Sequence, residues 1–112
     1  MFESALVGHL VGDFIFQNDF QAKNKTTSTW HCLLHVVLYT LAIMLFTGWY
    51  DWRHLAAVAV PHFFIDRFRL SRRLMRLVGQ EEFATGPLSP WSIIIVDQVM
   101  HLVCLYLTVR IL

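Results

Sequence analysis

Residues 6–16 read LVGHLVGDFIF. The run is apolar enough for a buried or lipid-facing helix, yet His9 and Asp13 interrupt it four residues apart, so both project from one helix face. Ionisable groups inside a bilayer are costly and normally face a bundle interior or a watery cavity, paired or functional. The same spacing returns as His31 and His35, His62 and Asp66, and Asp97 and His101. Six histidines and five aspartates placed at random along this chain would give roughly one such pair. Four pairs, one to each hydrophobic segment, are a pattern that directs both the fold and the search for chemistry.

Composition agrees with a membrane setting. The 112 residues suit one domain, 56% are apolar, only 15% are charged, and the mean hydropathy is positive. The net charge of +1 gives no basis for a nucleic-acid partner. Cys32 and Cys104 lie in apolar runs without C-x-x-C spacing, so they read as small apolar residues rather than a disulfide or thiolate site. No basic stretch opens the chain and Glu3 stands near its start, which argues against a cleaved signal peptide.

Four helices are expected, over residues 2–17, 29–47, 52–78 and 89–112, within one integral membrane domain spanning 1–112. Ser28 or Thr29 is the N-cap of the second and Gly48 its stop; Asp51 caps the third; Ser89 caps the fourth, with Pro90 at its first position. Spanning takes about 20 apolar residues, so the second and fourth qualify, the first is short and the third marginal. Pro61 is a candidate kink. The fold class is therefore all-α, a four-helix transmembrane bundle. The stretch RFRLSRRLMRLVG reads as a basic amphipathic extension after helix 3, with Leu70, Leu74, Leu77 and Val78 to face lipid, or equally as a solvated basic face that only sets orientation.

Charge bias orients the bundle. Lys23 and Lys25 lie in the first connection and Arg67, Arg69, Arg72, Arg73 and Arg76 follow the third helix, leaving Arg53 and Arg110 on the other side. By the positive-inside rule both connections are cytoplasmic, and both termini of this multi-pass protein lie on the outer side of the membrane. Trp30 and Trp91 at one boundary, and Trp49, Tyr50 and Trp52 at the other, match interfacial belts.

In this topology every His/Asp pair falls in the cytoplasmic half. Asp13, His31, Asp66 and Asp97 form a lower layer and His9, His35, His62 and His101 an upper one. A four-residue step rises about 6 Å, enough to hold one ion between the layers or two ions roughly 3.5 to 4 Å apart. The metal ligands expected are His9, Asp13, His35, His62, Asp66, Asp97 and His101. Gln17 and Tyr39 continue two of the ligand faces and are candidates to hydrogen-bond the ligands, as is His31, one residue past Trp30, which alternatively snorkels toward water. Gln98, about 100° around its helix from Asp97, suits an interhelical hydrogen bond. His54, beside Arg53 at the outer boundary, reads as an interfacial residue.

The blocks HLVGDFIFQNDFQAKNK, LLHVVLYTL, PHFFIDRFRL and DQVMHL resemble, in order and over nearly the whole chain, those of a family of small bacterial and phage membrane proteins, domain of unknown function 3307. The resemblance extends to His9, Asp13, Gln17, His35, Tyr39, His62, Asp66, Asp97, Gln98 and His101, and has no counterpart for His31. It implies no settled activity. The H-x-x-x-D and D-x-x-x-H pairs are also similar to those of membrane-bound metal-dependent hydrolases, a likeness of site architecture only.

The expected function is metal-assisted hydrolysis of a lipid or lipid-linked phosphate or acyl substrate. Asp66 and Asp97 are the catalytic candidates, and Arg67 and Arg69 are candidates to bind an anionic head group or, equally, charges that set orientation. Imidazole and carboxylate without thiolate suit a divalent ion, zinc first, with manganese and iron as alternatives. Membrane lipid is the expected partner and a homo-oligomer stays open. The same residues would also serve a transporter or proton path, or a structural protein whose ion only locks the bundle.

The topology is checked by cysteine labelling in intact cells. Ser4→Cys is expected to react with a membrane-impermeant reagent and a cysteine in the connection after helix 3, such as Ser71→Cys, to be protected; outside labelling of that connection would refute the orientation.

Overall fold

The computed structural model describes residues 1–15, 24, 25 and 27–112, and among them contains six α-helices and no strand. Helix α1 spans Phe2–Leu10 and passes into a π-helical turn, Val11–Ile15. Helix α2 spans Thr29–Thr47, α3 Trp52–Arg67, α4 Leu70–Leu77, α5 Glu81–Thr85 and α6 Trp91–Ile111. The expected Gln17 and Lys23 lie outside the described residues.

The punctuation of α2 is as its sequence dictates. Ser28 has extended backbone and its Oγ accepts the amide of His31, while Gly48 ends the helix with φ of 75°. Three other boundaries differ. Asp51 stands at the N-cap of α3, but its carboxylate turns to His54 Nδ1 and caps no amide. The last helix begins at Trp91, with Pro90 rather than Ser89 at the cap position and no side-chain cap.

The largest difference is in the third helix, which breaks after Arg67 instead of running to residue 78. Arg69 takes left-handed backbone, φ 51° and ψ 49°, a conformation costing a non-glycine residue about 1–2 kcal/mol. Arg73 Nε donates to the carbonyl of Phe68 at 2.9 Å, satisfying one acceptor that the break leaves over. Helix α3 itself continues through Pro61. Beyond α4, Arg72 donates to both carboxylate oxygens of Glu81, at 3.1 and 2.6 Å, which ties α4 to α5. That hydrogen bonding holds the Glu81 carboxyl below its usual pKa.

Helices α1, α2, α3 and α6 pack in a closed ring: α1 on α2, α2 on α3, α3 on α6 and α6 on α1. Helix α4 lies against α6 and α3. Two of these helices, α2 and α6, are long and apolar enough to cross a membrane. The core changes chemistry along its length. One part is apolar, built on Ala5, Tyr39, Ile43, Trp49, Val58 and Leu105. The other is polar, with His9, Asp13, His35, His62, Asp66 and His101 all at most 3% exposed. Outside, Leu33, Val37, Leu45, Val60, Ile95 and Val103 are exposed. Charge inside and hydrocarbon outside is the reverse of the soluble pattern. The extension after helix 3 behaves similarly: Leu74, Leu77 and Val78 face outward while Ser71 and Met75 pack inward. Because Ser71 is buried, Gln80, exposed at the end of the same connection, is the better position for the labelling cysteine.

Two glycines set the distance between α1 and α2. A Cβ on Gly8 would lie 3.0 Å from the Cα of Ile43, and one on Gly12 would lie 2.8 Å from the Tyr39 ring and 3.1 Å from its Cα. Gly8 and Gly12 are four apart, the small-xxx-small spacing that lets helix backbones approach closely. Gly12→Ala is therefore expected to push the helices apart at Tyr39 and to cost about 1–3 kcal/mol, the range for overpacking. Gly48→Ala, which has open space but a left-handed backbone, should cost about 1 kcal/mol. Reversible unfolding in mixed micelles compares the two; an unchanged midpoint for Gly12→Ala would deny the close contact a role.

Candidate metal centre

Each helix of the ring delivers its part of the polar core. The π-helical turn after α1 carries Asp13, α2 carries His35 and Tyr39, α3 carries His62 and Asp66, and α6 carries Asp97, Gln98 and His101. Gly12 makes the first of these placements feasible, since its missing side chain is where the turn meets Tyr39.

The ligand atoms of Asp13, His35, His62 and Asp66 lie within 4.8 Å of one another, and all four residues are buried. His35 Nε2 is 2.8 Å from His62 Nε2, 3.2 Å from Asp13 Oδ1 and 3.1 Å from Asp66 Oδ2. His62 Nε2 is 3.5 Å from Asp13 Oδ1 and 3.0 Å from Asp66 Oδ2. Tetrahedral ligands at ordinary zinc distances stand about 3.3 Å apart along each edge. Five edges of this set thus have about the right length, so the donors could hold a small divalent ion without moving far.

Asp13, Asp97 and His101 form a second group with the same mutual limit of 4.8 Å. His101 Nε2 reaches Asp97 Oδ2 at 3.3 Å and Asp66 Oδ1 at 3.2 Å. Asp13 belongs to both groups, and Asp66 faces one with each oxygen. The two layers expected from helical rise are thereby merged: imidazoles and carboxylates from different helices interleave at one level.

The remaining expected residues take other places. His9 is buried beside the groups but not in them; its Nδ1 pairs with Tyr39 Oη at 2.7 Å and its Nε2 with Gln98 Oε1 at 2.5 Å. Gln98 in turn donates to Asp13 Oδ2 at 3.2 Å, so His9, Tyr39 and Gln98 form a chain that orients the Asp13 carboxylate. His31 stays in the first turn of α2, outside both groups. Arg67 Nε donates to Thr29 Oγ1 at 3.1 Å and ties α3 to the start of α2. His54 pairs with Asp51 at the far end of the bundle.

Lys25 is the residue that charge counting alone undervalues. Its ammonium lies 3.3 Å from Asp66 Oδ2 with a side chain 15% exposed. Burial opposes that charge, but Asp66, Asp13 and Asp97 outweigh it and hold the lysine above its usual pKa. The only sequence signal for this role is its place in a short polar link just ahead of α2, a signal it shares with any orientation charge.

A cleft of about 340 Å³ adjoins the centre, with Asp66 and Asp97 on its wall and Lys25, Arg69 and Arg72 around them. Among the described residues, this cleft meets the centre at Asp66 and Asp97.

Comparison with curated proteins finds no match, and comparison with solved structures finds none. The family model described as protein of unknown function DUF3307 matches residues 1–112. The chain, with its helix-borne histidines and aspartates gathered in one buried centre, belongs to the DUF3307 family.

Proposed function

We propose that this protein is a membrane-embedded, metal-dependent hydrolase of a lipid or lipid-linked phosphate or acyl substrate, working at the His/Asp centre. The observation that carries this reading is the pairing of two donor groups of different size beside one cleft. Asp13, His35, His62 and Asp66 supply four ligands, the number that closes a structural zinc site. Asp13, Asp97 and His101 supply three, the number that leaves a position for water in a catalytic site, and Asp97 is on the cleft.

The inverted packing supports a membrane location; in this reading helices α1, α2, α3 and α6 cross, and the charge bias is what puts both termini on the periplasmic side. At 19 and 21 residues, α2 and α6 are about 28 and 31 Å long, close to the hydrocarbon thickness of about 30 Å. Helices α1 and α3 are shorter, and their exposed apolar surface would sit between longer neighbours.

A divalent ion in the three-ligand group, zinc first by its donor set, would polarise a phosphoryl or acyl oxygen and acidify a bound water. The protein's own part is otherwise distinct. His9, Tyr39 and Gln98 fix the Asp13 carboxylate. Asp66 is placed on the cleft wall to take a proton from the attacking water, and Lys25 stands beside it to balance charge.

Elemental analysis of detergent-purified protein tests this directly. The wild type should carry stoichiometric metal, His62→Ala should lose the four-ligand ion, Asp97→Ala the three-ligand ion, and His54→Ala neither. Asp66→Asn should keep some metal but lose about 10²–10⁴-fold in hydrolysis, the usual contribution of a general base. A metal-free wild type, or equal loss in all variants including His54→Ala, would sink the proposal.

A further inference from the structure

Lys25 and the four-ligand group share one oxygen. The Lys25 ammonium lies 3.3 Å from Asp66 Oδ2, the atom that His35 Nε2 approaches at 3.1 Å and His62 Nε2 at 3.0 Å. An ion taking that oxygen as a ligand would stand about 2.0–2.2 Å from it, so ion and ammonium would be no more than about 5.5 Å apart. His101, with Asp97 beside it, faces the other oxygen, Oδ1. Among the described residues, Asp66 is the carboxylate that Lys25 touches. The lysine therefore meets a donor of the four-ligand group and none of Asp13, Asp97 and His101, the three-ligand group.

Charge counting sharpens the difference. Ligand carboxylates are ionised and ligand imidazoles neutral when they hold an ion. Asp13, Asp66 and Asp97 then bring three negative charges, against one positive charge from Lys25. One divalent ion balances the remainder with the lysine in place, and a second overshoots it. Lys25 also has somewhere to go, since its partly exposed side chain lines the cleft and a lysine stem is flexible.

We infer that Lys25 is a tethered rival to the four-ligand ion: its ammonium holds Asp66 Oδ2 until it withdraws into the cleft, and only then does that group fill. The three-ligand group, whose ion the proposed hydrolase would use, fills first and with the lysine still in place. The inference rests on the reading of the two donor groups as metal sites, and adds their order of filling and the residue that sets it. A role confined to hydrogen bonding would be served as well by an uncharged amide at this position. A rival must carry charge.

The full chain, purified in detergent and stripped with a chelator, is titrated with zinc by equilibrium dialysis, and the bound metal is counted by elemental analysis. The wild type should take up two ions in separate steps. Two backgrounds isolate the groups: Asp97→Ala leaves the four-ligand one and His62→Ala the three-ligand one. In Asp97→Ala, adding Lys25→Gln or Lys25→Met should tighten the remaining ion at least about tenfold, because the ammonium no longer stands beside it. In His62→Ala the same changes should move affinity by less than about threefold, the ion there being farther from the lysine. Lys25→Arg, which keeps the charge, and Arg53→Gln, at the opposite end of the bundle, should alter neither. Lys25→Gln can still hydrogen-bond Asp66, so its effect reads charge rather than a loosened fold. Affinity in Asp97→Ala that is unmoved or weakened by both Lys25→Gln and Lys25→Met would overturn the inference, as would equal tightening in the two backgrounds. The inference and the metal reading fail separately. Zinc bound by the wild type with no response to Lys25 overturns the inference alone, and zinc bound by no variant overturns both. Zinc bound only after the lysine is removed upholds the rivalry and overturns the wild type as a metal-dependent hydrolase.

Discussion

The structure depends on the carboxylate of Asp66. One oxygen lies within 3.3 Å of His35, His62 and Lys25, and the other within 3.2 Å of His101. Those partners come from α2, α3, α6 and the link before α2, so a single side chain draws together most of the polar core. A buried charge of this kind is tolerated only where its neighbours repay the lost hydration, and removing one partner leaves the rest uncompensated. The convergence of imidazoles on one carboxylate also places them at ligand-like separations, so the demand for charge compensation and the capacity to hold an ion arise from the same contacts.

Much of this centre was legible in four pairs of residues. The i, i+4 rule puts each pair on one helix face, and the cost of burying charge turns those faces toward each other; the convergence of Asp13, His35, His62, Asp66, Asp97 and His101 needs little more. What was not legible is of three kinds. The break at Arg69 follows no breaker residue, since arginine carries no intrinsic preference for left-handed backbone. The shift of His9 from ligand to hydrogen-bond partner depends on which side chain across the bundle reaches it first, and Tyr39 and Gln98 do. The spacing of Gly8 and Gly12 stood in the same stretch as His9 and Asp13, but a titratable pair in an apolar run draws the reading toward chemistry and away from helix approach.

Helix ends divide along the same line. Ser28 and Gly48 act through their own backbone preferences and are where local rules put them. Asp51 and Ser89 have the same kind of side chain, yet a nearby histidine engages the first and the second lies outside the cap position. Local propensity offers a cap; tertiary partners decide whether it is used.

The rings of Tyr39, His62 and His101 form a stack contributed by three helices, with centroid separations of 3.8 and 4.1 Å and interplanar angles of 18° and 23°. Stacking at that distance leaves no room for the middle imidazole to swing out while its neighbours stay in place. The kinetics of the centre follow. Ordinary ring rotation, on picoseconds to nanoseconds at exposed positions, is closed to His62, so its Nε2 keeps its place until the helices themselves part. Motion of this imidazole runs on the microsecond-to-second clock of local opening, and its aim is set by the bundle rather than by its own side-chain torsions.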